Sequence, residues 1–113
     1  MKDINLEIVR KDTKNYRVIL KRDGIAVDIS GWTVYFTVKN DFNDADSVAL
    51  ISKNYLMPNN SDSQAGIGYL PLSSSDTNIA IGEYVYDMKF INTNYVETFA
   101  RGKLLIIPSI RIN

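Results

Sequence analysis

The sequence predicts an all-β protein, an antiparallel β-sandwich of about seven or eight strands forming one domain over residues 1–113. Three observations predict it. Apolar residues recur at every second position through most of the chain, the period of strands that bury one face. The runs that do so are rich in Val, Ile, Tyr and Phe, which pleated surfaces favour. Turn-forming residues separate them at short intervals, with no amphipathic run of helical length between.

The expected elements follow in order. A first strand over 4–9 is short and charged at its margins. The second, over 15–22, alternates Tyr16, Val18 and Leu20 with Arg17, Ile19 and Lys21 and ends at the turn pair Asp23-Gly24. Ser30-Gly31 introduces the third, over 32–39, where Trp32, Val34, Phe36 and Val38 alternate with Thr33, Tyr35, Thr37 and Lys39. A strand over 48–54 leads into the plainly loop-like stretch 57–66, followed by a strand over 66–72. Ser73 to Asn78 is rich in capping residues but has no amphipathic run behind it, so it supports one turn of helix at most. The strand over 83–91 alternates Tyr84, Tyr86, Met88 and Phe90 with Val85, Asp87, Lys89 and Ile91. Asn92-Thr93-Asn94 closes a hairpin onto a strand over 95–100, and the last strand spans 103–107. Trp32 and Phe36 are expected to face Tyr86, Met88 and Leu104 across the core.

Composition narrows the function. Thirteen basic residues balance thirteen acidic ones, so no global field favours nucleic acid or an anionic membrane. Cysteine is absent, which removes disulfides, thiolate metal sites and cysteine nucleophiles. Histidine is absent too, and with it imidazole catalysis and the usual metal ligand. No catalytic, cofactor-binding or metal-ligating set is expected, and the protein is read as a non-enzyme without cofactors. The N-terminus lacks the apolar core of a secretory signal, and no apolar run approaches the ~18–20 residues of a membrane span. The expected product is therefore made in the cytoplasm and stays there or leaves by assembly or lysis.

Each sharper motif has a plainer reading beside it. Asp41, Asn43, Asp44 and Asp46 crowd together as calcium ligands do, but Ala45 breaks the EF-hand pattern and no glycine follows it. They read as a solvated loop. Asp87 and Glu97 would face one another across the expected hairpin as a glycosidase pair does, yet Lys89 and Arg101 lie close enough to neutralise them. Gly66 and Gly68 lack the lysine of a phosphate loop. Tyr35, Tyr55, Tyr69 and Tyr95 are the aromatics expected at the surface, and with the 57–65 loop they define the alternative function, a carbohydrate-binding or adhesin-like module. Charge is segregated along the chain: both ends are basic and the middle is acidic, a pattern suited to guided docking on a partner.

Four segments carry a resemblance: Asp28-Ile-Ser-Gly-Trp-Thr-Val-Tyr-Phe-Thr-Val-Lys39, Leu70-Pro-Leu-Ser-Ser-Ser-Asp-Thr77, Gly82-Glu-Tyr-Val-Tyr-Asp-Met-Lys89 and Gly102-Lys-Leu-Leu-Ile-Ile-Pro108. Their order and spacing, over roughly residues 10–110, resemble the small immunoglobulin-like domains of tailed-phage and prophage structural proteins. The N-terminal domain of baseplate upper proteins is the nearest type. Gly82 and Gly102 suit tight entries into strands, and Pro108 ends pairing. The resemblance implies an immunoglobulin-like sandwich with Trp32 between the sheets and Tyr84 or Tyr86 at a tyrosine corner. It also implies a structural protein of the virion (baseplate, tail, neck or head adaptor, or decoration) that assembles on other virion proteins or on itself, with no nucleic acid or membrane as partner.

The assembly surface is expected at the C-terminus. Leu104 to Ile107 is apolar on both faces, so covering one face leaves Leu105 and Ile107 in water. With the tail residues Ile110, Arg111 and Ile112 they form the expected subunit contact. The alternative is that the first strand covers Leu105 and Ile107 within one chain.

Overall fold

The computed structural model describes residues 2–110. Its strands are β1 (Lys2–Asp3), β2 (Leu6–Val9), β3 (Lys14–Ile19), β4 (Lys21–Arg22), β5 (Ile25–Ala26), β6 (Thr33–Lys39), β7 (Ile51–Leu56), β8 (Ile67–Leu72), β9 (Gly82–Asn92) and β10 (Tyr95–Ile107). A four-residue helix, α1 (Ser61–Gln64), precedes β8. The protein is all-β, as its periodicity predicts.

One six-stranded sheet runs in the order β1-β10-β9-β6-β7, with β2 also paired to β10. The sheet is mixed and curls into a half-barrel. Contacts among β10, β9, β6 and β7 are antiparallel, whereas β1 and β2 lie parallel to β10. The expectation of a wholly antiparallel arrangement therefore fails at the N-terminal strand. A second, two-stranded sheet pairs β3 with β8, and β4 and β5 form a tight hairpin. Asp23 and Gly24 supply φ values of 52° and 78° at its turn, the positive pair that a two-residue hairpin of this twist requires.

The core lies between the two sheets. Val34, Phe36, Val38, Tyr84, Tyr86, Met88, Phe90, Leu104 and Ile106 are buried on the inner face of the large sheet. Val18, Leu20, Leu70 and Leu72 meet them from the small one. Phe36 packs on Tyr86 with ring centroids 5.8 Å apart, as expected. Trp32 does not join that group. It precedes β6, stays partly exposed, and packs edge-on to Phe90 at 6.0 Å and against Tyr95 at 5.1 Å.

The expected strands over 95–100 and 103–107 are one strand of 13 residues with an irregularity between Thr98 and Ala100. Gly102 is thus a mid-strand residue and not a strand entry. A side chain there would strike the Ile4 carbonyl, and this close approach is what lets the N-terminus dock. The Ile4 N–H donates to the Arg101 carbonyl at 2.8 Å, the Lys103 N–H donates to Asn5 Oδ1 at 3.2 Å, and the Tyr86 hydroxyl donates to the Ile4 carbonyl.

Helix appears where the sequence reads as loop, and a turn where it hints at helix. In α1 the Asn60 side chain accepts from the Ser63 N–H at 2.9 Å and the Ser63 hydroxyl accepts from the Asn60 N–H at 3.2 Å, a reciprocal cap. Around Ser73 to Thr77 the side chains satisfy the backbone instead. Ser73 N–H donates to Asp76 Oδ2 at 2.8 Å, and buried Thr77 donates its hydroxyl to the Asp12 carbonyl at 2.7 Å. Local bonds of this kind compete with helix.

Candidate functional site

Period two gives the central strands a second face, directed away from the core. On it Tyr35 of β6 is paired with Lys89 of β9, and Thr37 with Asp87. Asp87 is paired in turn with Arg101 of β10. Among the described residues no strand covers this face. The chain between β6 and β7 folds back over one end of it instead and brings Phe42 and Asp46 above the sheet. The result is a cleft of 310 Å³ bounded by these two and by Tyr35, Thr37, Lys39, Asp87 and Lys89, with Val85 and Ile91 at its margins.

Hydrogen bonds fix the covering loop. Lys39 Nζ donates to Asp46 Oδ1 at 2.7 Å and to the Asp44 carbonyl at 2.9 Å. Asp44 Oδ2 accepts from the Asp41 N–H at 3.2 Å, and Asp41 Oδ1 from the Asn43 N–H at 2.9 Å. The acids that crowd in the sequence are therefore spent on turn geometry and on Lys39, whose hydrogen bond and charge hold the Asp46 carboxyl below the usual range. The Arg101 guanidinium lies 5.0 Å over the Phe42 ring and ties the loop to β10.

Asp87 is the unusual group on this face. Burial pushes its carboxyl above the ordinary aspartate range, and the charges of Lys89 and Lys39 only partly oppose that. Asp87 and Lys89 are half-buried, and among the described residues neither side chain makes a hydrogen bond or a salt bridge. Polar atoms on both remain available to the cleft. Glu97 does not join them: it is paired with Phe90, lies 3.7 Å from Arg22, and accepts from the Tyr95 hydroxyl. The two carboxylates weighed as an acid pair are not brought together, because the register sets Arg101 opposite Asp87.

The four surface tyrosines disperse. Tyr35 and Tyr69 are exposed, on different sheets. Tyr55 is half-buried and donates to the Pro71 carbonyl, joining β7 to β8, while Tyr95 lies between Trp32 and Arg22. Only Tyr35 reaches the cleft, and the 57–65 loop does not line it. Phe42 and Lys39 are the contributors that sequence reasoning missed, and Lys89 entered it only as a charge beside Asp87; a lone exposed phenylalanine inside an acidic loop was the available signal.

At the C-terminus, β2 takes the free backbone of Leu104–Ile107. Leu105 nevertheless stays 38% exposed, Ile107 is half-buried and Ile110 is fully exposed. Arg111 and Ile112 lie outside the described residues.

The sheet edges differ in protection. β8 carries Pro71, β3 carries Lys14 and Arg17, and β2 is only four residues long. β7 ends the large sheet with none of these devices. The single charge within it, Lys53, is held by Asp76 at 3.0 Å. Met57 N–H bonds to the Trp32 carbonyl at 2.7 Å, and alternation from that bond turns the backbone groups of Ser52, Asn54 and Leu56 outward. Leu56 is 69% exposed.

No family model matches the chain, and no curated protein or solved structure matches it either.

Proposed function

We propose that this chain is a non-enzymatic structural module of a phage particle, an immunoglobulin-like sandwich that works by protein–protein assembly. The resemblance of four segments to tailed-phage structural domains supports the class. Two geometric features support the immunoglobulin-like reading. The sheet order places the N-terminal strand parallel on the last one while β3–β8 closes the inner face. The Tyr84 hydroxyl also donates to the Ala80 carbonyl at 2.5 Å, the backward bond of a tyrosine corner.

The observation that carries the assembly reading is the β7 edge. An edge strand with outward amides, no proline, no free charge and an exposed leucine is built to be paired. Leu105, Ile107 and Ile110 extend the contact at the other side of the sheet, and Arg111 and Ile112, outside the described residues, belong to the proposed contact by sequence alone. The test is electron microscopy with mass spectrometry of purified particles. Regular stoichiometric copies of the chain are expected, and particles without it overturn the reading. Removing residues 109–113 should weaken incorporation, and unchanged incorporation removes the tail from the contact.

A further inference from the structure

We propose that the cleft over β6 and β9 is a binding site for a neutral pyranose ring, an activity separate from assembly. The occupant is read from what the cleft offers. Its charges cancel: Lys39 is committed to Asp46, Arg101 beside the cleft is paired with Asp3 at 3.7 Å, and Asp87 and Lys89 carry opposite charges. An anion therefore finds no net field to enter. A peptide strand is excluded for another reason. β6 and β9 are interior strands paired on both sides, so their backbone groups are already used in the ladder. Recognition here has to come from side chains, and those present are an acceptor, a donor and an aromatic plate.

Asp87 is an acceptor with both oxygens unbonded within the described protein, and Lys89 a donor in the same state. They lie two residues apart on one face, about 7 Å along the strand. Vicinal hydroxyls of a sugar are donors and acceptors at once and can engage both groups. Tyr35, directly beside Lys89 in the register, presents a ring to the apolar C–H face of the sugar, and Phe42 closes the opposite wall. Thr37, beside Asp87, adds a hydroxyl. The volume of 310 Å³ lies at the small end of ligand sites, the right scale for a single ring. The loop wall is anchored through Phe42 beneath Arg101 and through Lys39, and Tyr35 stands on a strand paired on both sides, so the cleft exists before a ligand arrives.

The test is a titration of the ¹⁵N-labelled chain with methyl pyranosides of glucose, galactose, mannose and N-acetylglucosamine, with sodium acetate as an anionic control. At least one glycoside is expected to shift the amide signals of Tyr35, Thr37, Asp87 and Lys89 saturably, with a dissociation constant on the order of 1 mM. Asp87→Ala and Tyr35→Ala should each weaken binding at least about tenfold, while Tyr69→Ala, on the other sheet, leaves it unchanged. Core amide signals of each variant report whether it is folded; if Asp87→Ala is not, Lys89→Met takes its place with the same expected loss. The proposal is overturned if no glycoside moves these signals, if acetate moves them and the glycosides do not, or if folded Asp87→Ala and Tyr35→Ala bind as well as the parent. Failure of this titration leaves the assembly reading standing, because particle incorporation is measured independently.

Discussion

The two faces of β6 and β9 are made by the same backbone and obey opposite rules. On the inner face Val34, Phe36, Val38, Tyr86, Met88 and Phe90 are sealed by β3 and β8. On the outer face Tyr35, Thr37, Asp87 and Lys89 are left half-covered by a loop. The inner residues fill a closed volume, so they carry stability. The outer ones border open space, so they are where recognition can be placed. One strand can therefore serve both purposes without compromise, because its side chains alternate.

The largest effect should separate the faces outright. Phe36→Ala is expected to cost about 3–5 kcal/mol, and Tyr35→Ala, one residue away, less than about 1 kcal/mol. Chemical denaturation of the two variants measures this, and similar losses would erase the distinction. Trp32→Ala should fall below Phe36→Ala, because Trp32 is only partly buried at the end of the sheet.

Next in size is the docking of the N-terminus. Gly102→Ala sets a methyl group against the Ile4 carbonyl and should cost about 1–3 kcal/mol. Faster amide exchange across β2 in that variant, with β9 unchanged, locates the damage at the edge and not in the core.

A smaller pair of changes compares two hydroxyls on the inner side. Tyr84→Phe removes the bond to the Ala80 carbonyl and should cost about 1 kcal/mol. The Tyr16 hydroxyl is buried with no partner among the described residues, and burial, with the neighbouring Tyr86 second, pushes its pKa up to about 12. Tyr16→Phe should therefore be neutral or slightly stabilising in thermal melts. A marked loss would reveal a bond to that hydroxyl, through water for example.

The smallest effect belongs to the cleft and depends on pH. The folded state holds the Asp87 proton more tightly than the unfolded chain does, so this residue lowers stability as pH rises above the ordinary aspartate value of about 3.9. Asp87→Asn should melt higher than the parent at pH 7, and the gain should vanish near pH 3, where both side chains are neutral. A gain independent of pH would assign the effect to packing.

Alternation made the inner face legible: the buried residues of β6 and β9 are the ones the period-two pattern selects. Asp23-Gly24 marked its turn because few residue pairs adopt two positive φ values, although the short strand β5 behind it was not expected. Three features escaped. The parallel docking of β2 depends on Gly102 meeting Ile4, a contact nearly a hundred residues apart in sequence and invisible to local pattern. Asn60 and Ser63 cap a helix too short to show any amphipathic period. The cleft was hidden because residues 40–50 read as solvated acids, and the bonds from Lys39 to Asp44 and Asp46, with Arg101 over Phe42, turn them into a wall. The register of β9 against β10, shifted by the irregularity near Thr98, also decided which partner Asp87 received.

The central claim is that the inner face is complete within one chain while the β7 edge awaits a partner. Amide hydrogen exchange, measured on the isolated chain and again on the chain assembled in particles, tests it most directly. Ser52, Asn54 and Leu56 should exchange quickly in the isolated chain and become protected on assembly, while the already protected amides of β9 stay as they are. If those three amides exchange equally fast in both states, the β7 edge is not the assembly surface and the account is contradicted.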